Sequence, residues 1–355
     1  MRPELLDILL SAVVERGGTD MLLTTDAEPL IRIGGTLVTT PGFTPLGERA
    51  MWDVFVAMVD DNQRAQLDAD RDLDFAFSFG DARFRGNAFF ERGRLAIALR
   101  LMHRQIPTFD EIGLPYPVRE LASLNQGLVL FTGPTGSGKS TSMATLVDEI
   151  NAKRACHIIT IEDPVEYLHV NRQAVVHQRE IGLDAQSFER ALRAALREDP
   201  DVVLVGEMRD LESIAITMRL AETGHLVLSS LHTNDAAQAL DRIVDVFPAE
   251  RQSQIRLQLA SVLSAVVAQR LIPSTAGELV AAYEVLVVTP AVSNLLREGK
   301  TRQIRNAMQL GVGSGNQTLE MSLNSLLHAG TITPDVALAT AFVPHEIAVP
   351  QPAHA

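Results

Sequence analysis

Gly133-Pro134-Thr135-Gly136-Ser137-Gly138-Lys139-Ser140, followed by Thr141, fills every fixed position of the phosphate-binding loop. Glycines let backbone N–H groups turn inward around phosphates, and a helix starting there adds the positive end of its dipole. Lys139 is then the cation for the β- and γ-phosphates, and the Ser140 hydroxyl is a ligand for Mg²⁺. The implied chemistry is binding of a nucleoside triphosphate, ATP, together with Mg²⁺.

Three further groups could complete that chemistry. An apolar stretch, Asp201 to Val205, runs into Gly206-Glu207, where an acidic residue beside the loop is the expected second Mg²⁺ partner. Ile161 leads into Glu162-Asp163-Pro164-Val165-Glu166, carboxylates at a strand end that could orient an attacking water. Asp163 precedes a proline and suits a turn, so Glu162 is the preferred base, with Glu166 and Glu207 as alternatives on spacing alone. Finally, His225 and His232 bracket the apolar Leu226–Leu231 and the run ends in Thr233-Asn234, a pattern that suits a γ-phosphate sensor.

The elements that must position these groups follow from periodicity. The loop lies between a strand, Leu128 to Thr132, and a helical Thr141 to Ile150. Further strands are expected at His157 to Ile161 and at His225 to Leu231. Strands alternating with helical stretches predict a parallel sheet covered by helices. Ahead of it, from about residue 4 to 100, a helix (Leu5 to Arg16, stopped by Gly17-Gly18) precedes short strands with a turn at Gly34-Gly35. A helix around Arg49 to Asp60 and three more strand-like stretches complete a small α+β unit. The apolar run Leu257 to Ala268 reads as a buried amphipathic helix. The expected organisation is an N-terminal domain over 1–103, a proline-bearing linker over 104–117, the ATPase domain over 118–343, and an unpacked, disordered tail over 344–355.

Composition limits the alternatives. A chain of 355 residues with 46% hydrophobic and 21% charged residues has room for two cored domains. A formal net charge of -13 opposes nucleic acid and anionic membrane surfaces, which weakens a DNA-translocating reading. The lone Cys156 excludes a disulfide framework and a four-thiolate zinc site within the chain. No apolar run reaches the roughly 18–20 residues that span a bilayer, so a soluble, cytoplasmic protein is expected.

The loop, the Glu162–Glu166 acidic box, Leu196 to Asp210 with its Gly206-Glu207-Met208-Arg209-Asp210, and the Gly224-to-Asn234 histidine box resemble secretion ATPases of the type II/type IV pilus class. Within that class the chain is most similar to the twitching-motility retraction ATPases. The likeness extends to Arg83-Phe84-Arg85-Gly86-Asn87, Ile106-Pro107-Thr108-Phe109 and Ala291-Val292-Ser293-Asn294-Leu295-Leu296-Arg297-Glu298.

That resemblance implies a RecA-like α/β core behind a PAS-like α+β domain, with nucleotide at the junction of the two and six copies in a ring. It implies the general base at Glu162, the magnesium-side carboxylate at Glu207, and sensors at His225 and His232. It also implies that Arg85 and Arg100 face the nucleotide phosphates. The implied partners are an inner-membrane pilus platform protein and, through it, pilin, with no nucleic acid. An assembly or secretion motor of the same class is the alternative. The sequence departs from the family pattern where Met21 and Leu22 follow Asp20, and where Ser293 replaces an arginine of the retraction segment.

Overall fold

The computed structural model describes residues 4–40, 42–80, 82–102 and 105–349. The chain divides into two compact units, Met1–Gln105 and Ile106–Ala355.

The first unit runs α1 (Glu4–Glu15), β1 (Asp20–Thr24), β2 (Leu30–Ile33), β3 (Thr36–Thr39), α2 (Glu48–Val56), α3 (Asp61–Asp70), β4 (Asp72–Phe79), β5 (Ala82–Glu91) and β6 (Arg94–Leu101). Its strands form one antiparallel sheet in the order β3-β2-β1-β6-β5-β4. Gly34 and Gly35 both take positive φ, the mirror-image turn that a two-residue hairpin between Ile33 and Thr36 needs. Leu6, Leu9, Leu10 and Val13 recur at helical spacing and bury one face of α1 with Phe55, Phe75, Phe84 and Ile97. Alternation leaves Asp20, Arg85 and Arg100 on the opposite face. Helix α3 escaped the sequence reading because only Leu67 is buried. What starts it is a capping box, in which Asp60 accepts from Gln63 N–H and the Gln63 side chain accepts from Asp60 N–H.

The second unit continues with α4 (Tyr116–Glu120), β7 (Gly127–Thr132), α5 (Lys139–Lys153), β8 (His157–Glu162), β9 (Val175–Glu180), α6 (Phe188–Ala195), β10 (Val202–Val205), α7 (Leu211–Glu222) and β11 (Leu226–Leu231). It ends with α8 (Ala236–Asp245), α9 (Ala249–Val262), β12 (Leu263–Pro273), β13 (Leu279–Val287), α10 (Pro290–Arg297), α11 (Ile304–Leu310), α12 (Leu319–His328) and α13 (Pro334–Thr340). The sheet order is β13-β12-β7-β11-β10-β8-β9, parallel except for the edge strand β13. β7, β10 and β11 are buried along their whole length, which is why they read as unbroken apolar runs. The sheet is the expected α/β core, and the first unit is the expected α+β one.

Three expectations need correction. Leu257 to Ala268 is not one helix: α9 ends at Val262 and the chain enters β12 at Leu263 without a turn. β12 lies between β7 and β13 with both faces covered, so its side chains carry no period to separate strand from helix. The stretch read as a linker is packed into the second unit over its described part. Phe109 and Leu114 are buried in its core, Thr145 donates to Pro107 O at 2.9 Å, and Tyr283 donates to Ile112 O at 2.9 Å.

The tail is also held over residues 344–349. Ile347 is 8% exposed, Asn324 donates to Glu346 O at 2.9 Å, and Ala348 N donates back to the Asn324 side chain. Arg305 reaches Glu346 at 2.6 Å. One apolar anchor and paired polar groups suffice where composition predicted nothing to pack. Positions 350–355 of that tail, and 103–104 at the domain boundary, lie outside the described residues.

Candidate active site

Parallel strands bring their C-terminal ends to one edge, and there the predicted groups collect. β7 delivers the phosphate loop, β8 the acidic box, β10 Glu207, and β11 His232. Gly133, Gly136 and Gly138 all take positive φ. At Gly133 a Cβ would meet Gln269 O at 2.3 Å, so no other residue fits that bend. Lys139 opens α5 and is 8% exposed. Its Nζ donates to Gly133 O at 2.9 Å and Pro134 O at 3.0 Å. Burial lowers its pKa, against the pull of Glu207 and Glu166. A triphosphate entering the loop offers this desolvated cation better acceptors than two carbonyls.

Glu207 lies two residues beyond the end of β10, after Gly206. Ser230 Oγ donates to Gly206 O at 2.7 Å, tying that turn to β11. One Glu207 oxygen accepts from Arg209 at 2.9 Å, and the other lies 3.1 Å from His232 Nε2. The same imidazole's Nδ1 is 3.5 Å from Lys139 Nζ. The tautomer with its proton on Nε2 satisfies both contacts, donating to Glu207 and accepting from lysine. His232 thus spans the interval between the phosphate-side cation and the acidic side of the site.

Glu162 ends β8, one residue beyond the register partner of Val205, and its backbone abuts Gly206. Thr160 donates to Glu162 Oε1 at 2.7 Å and Gln178 to the same oxygen at 3.4 Å. Burial pushes this carboxyl up to about 7, with the two side-chain donors opposing the shift. Glu166, the alternative on spacing, is exposed. The box is braced from outside by Glu180, which accepts from Val165 N–H at 3.1 Å, and by Tyr167, whose hydroxyl is 2.8 Å from Thr141 Oγ1.

Several of these supports were missed from sequence. Gln269 is 2% exposed on β12, and its side-chain amide donates to Ser137 O in the loop at 2.6 Å. It went unseen because it follows the run read as helix. Beside it lies a cavity of about 420 Å³, lined by Gly138, Thr141, Gln269, Leu271, Tyr283 and the 110–113 turn. A larger groove of about 750 Å³ between α6 and α7 holds no part of this constellation.

Not every predicted residue is brought to the loop. His225 precedes β11, so the six residues of that strand hold it ~23 Å from His232. Its Nδ1 lies 2.9 Å from Leu220 O and 3.1 Å from the Thr223 hydroxyl, a structural seat at the far edge of the sheet. Within the chain the two histidines therefore do not share one site: His232 lies beside Lys139 and Glu207, and His225 does not. Arg85 and Arg100 belong to the first unit, where they are cross-strand partners and both exposed. Arg100 donates to Asp20 at 2.8 Å; burial raises the Asp20 carboxyl, but the hydrogen bonds from Arg100 and Thr19 and the charges of Arg100 and Arg32 together hold it below its usual range. Ser293 is buried on α10 and donates to Ala260 O at 2.8 Å, closing the end of α9 onto α10.

The family described as Type II/IV secretion system protein matches residues 96–306. The chain belongs to this family. A relative from Pseudomonas aeruginosa described as the type IV pilus retraction ATPase PilT is 41% identical over 95% of this chain and 98% of its own. The type IV pilus ATPase PilU of the same organism is 39% identical over 94% of this chain and 87% of its own. Among solved structures, that of the pilus retraction motor PilT with bound ADP matches with a TM-score of 0.91 at 43% identity, over 97% of this chain and 99% of the other. As a family member the chain carries the shared fold, and no described helix is long and apolar enough to cross a membrane.

Proposed function

We propose that this chain is an ATP-hydrolysing motor that powers type IV pilus retraction. The observation that carries the reading is an end-to-end likeness, at 41% identity, to a pilus retraction ATPase. Its support within the chain is a complete set of groups at one sheet edge: the loop with Lys139, Glu207 with His232, and a half-buried Glu162.

In this mechanism the loop N–H groups and Lys139 take the phosphates, and Lys139 exchanges its carbonyl partners for phosphate oxygens. The cavity beside Gly138 and Thr141 receives the base and sugar. Glu162, ionised above about pH 7, takes the proton of the attacking water while Thr160 and Gln178 fix its orientation. His232 reports the γ-phosphate between Lys139 and Glu207. The Ser140 hydroxyl and the Glu207 carboxylate are the oxygen donors that would hold magnesium, which would supply positive charge beside the phosphates. Arg85 and Arg100 are the arginines that face the phosphates in the transition state, a role typically worth about 10³–10⁵ in rate. Six copies act as a ring at the cytoplasmic face of the inner membrane, against a platform protein that dislodges pilin.

Deleting the gene separates the two motor directions. The expected result is more surface pili with twitching lost, reversed by the wild-type chain. Bald cells would make this an assembly motor instead.

A further inference from the structure

Glu284 is a carboxylate on β13 that the phosphate chemistry does not use, yet it is 5% exposed. One register row crosses the sheet at its level: Leu231 pairs with Thr132, Thr132 with Ala268, and Ala268 with Glu284. The residues after Thr132 and Leu231 are Gly133 of the phosphate loop and His232. Glu284 is therefore level with the site, two strands away from the loop.

Its side chain leaves the sheet toward α8. Glu284 Oε1 accepts the backbone N–H of Ala236 at 2.8 Å, the first residue of that helix. The start of a helix leaves N–H groups without internal partners, and its dipole end favours a carboxylate there. Asp235 caps the same turn by accepting from Gln238 N–H at 2.8 Å. Between Leu231 and Ala236 the chain has only His232, Thr233, Asn234 and Asp235. A short segment pinned at one end by β11 and at the other by α8 has little freedom. The position of the His232 ring against Glu207 and Lys139 thus depends on both pins.

We propose that Glu284 is a positioning residue for the nucleotide site, gripping the first turn of α8 so that the His232–Asp235 segment holds the imidazole in place.

The surroundings show why a carboxylate rather than a neutral acceptor is a costly choice at this depth. Burial pushes Glu284 up to about 7; Asp235 and Glu320 reinforce the shift, while the Ala236 N–H and Arg305 oppose it. Arg305 on α11 in turn bonds Glu320 on α12 at 2.8 Å and Glu346 at 2.6 Å. Glu320 accepts the N–H groups of Phe342 and Val343, each at 2.9 Å. The helices after β13 therefore share an electrostatic environment with the residue that holds the sensor segment.

The inference rests on the ATPase reading, and a double-mutant cycle tests it with the full-length chain. ATP turnover is measured for wild type, Glu284→Leu, His232→Ala and the double variant, alongside ADP affinity and melting temperature. ADP lacks the γ-phosphate that His232 reports. Glu284→Leu is accordingly expected to lower kcat at least 10-fold with ADP affinity kept within about 3-fold. Because Glu284 acts through His232, the double variant is expected to be no slower than His232→Ala alone. Glu284→Gln keeps an acceptor for Ala236 N–H without needing a buried charge, and is expected to recover most of the turnover.

Additive losses in the cycle would overturn the proposal. So would a folded Glu284→Gln variant as slow as Glu284→Leu. A wild-type chain without ATPase activity would instead defeat the reading on which the proposal rests.

Discussion

Glu162→Gln is expected to bind ATP as the wild type does and to turn it over about 10²–10⁴-fold more slowly. The amide fills the same space and keeps an oxygen for Thr160 to donate to, so the box should hold its shape. What it loses is the ability to accept a proton. The wild-type kcat/KM is expected to rise with pH through about 7, where the buried carboxyl ionises. The variant's residual rate should be flat there.

The same substitution should raise stability. A carboxyl whose folded pKa lies above its unfolded value near 4.5 is destabilised in its ionised form by folding. The native state then binds more protons than the unfolded one, so stability falls as pH rises from about 4.5 to 7 and stays lowered above that. At pH 8 the penalty has an upper bound of about 3 kcal/mol, taking 1.36 kcal/mol per pKa unit. Thermal melts of Glu162→Gln and wild type at pH 8 and pH 5 should differ most at pH 8. Turnover near the wild-type rate would move the base to Glu166 or Glu207.

Lys139→Ala is expected to abolish measurable nucleotide dependence. Removing a charge-assisted donor from a phosphate site costs about 2–5 kcal/mol, on the order of 30- to 5,000-fold in affinity. The folded protein should tolerate the change. Lys139 is desolvated and its nearest contacts are carbonyls of its own loop, so removing it relieves a buried charge. The expected signature is a melting temperature close to wild type without nucleotide, and loss of the upward shift that ADP gives the wild type. Calorimetry with ADP measures both, and an undiminished shift would remove Lys139 from the phosphate site.

The parts legible in sequence share one property, which is that their signal is local. The phosphate loop declares itself in consecutive residues because its glycines are demanded by backbone geometry, as the clash at Gly133 shows. β7, β8, β10 and β11 are legible because buried strands of a parallel sheet are short apolar runs between turns. The resemblance supplied the roles that spacing left open.

Other features depend on what lies opposite in space. Gln269 and Glu284 matter because β12 and β13 join the sheet beside β7, an adjacency formed by residues more than a hundred positions from the loop. The boundary between α9 and β12 was illegible because Leu257 to Ala268 is mostly apolar across it and no glycine or proline marks the junction of Val262 with Leu263. His225 misled for a related reason. Two histidines in one short motif suggest one site, but a strand holds its ends apart.

The central claim is that ATP turnover in this chain pulls pili back. Live imaging of fluorescently labelled pili tests it most directly, in a deletion strain carrying either wild type or Glu162→Gln at matched protein levels. The account predicts that pili extend in both strains, retract with wild type, and remain extended with the variant. Retraction at wild-type speed and frequency in the Glu162→Gln strain would contradict it.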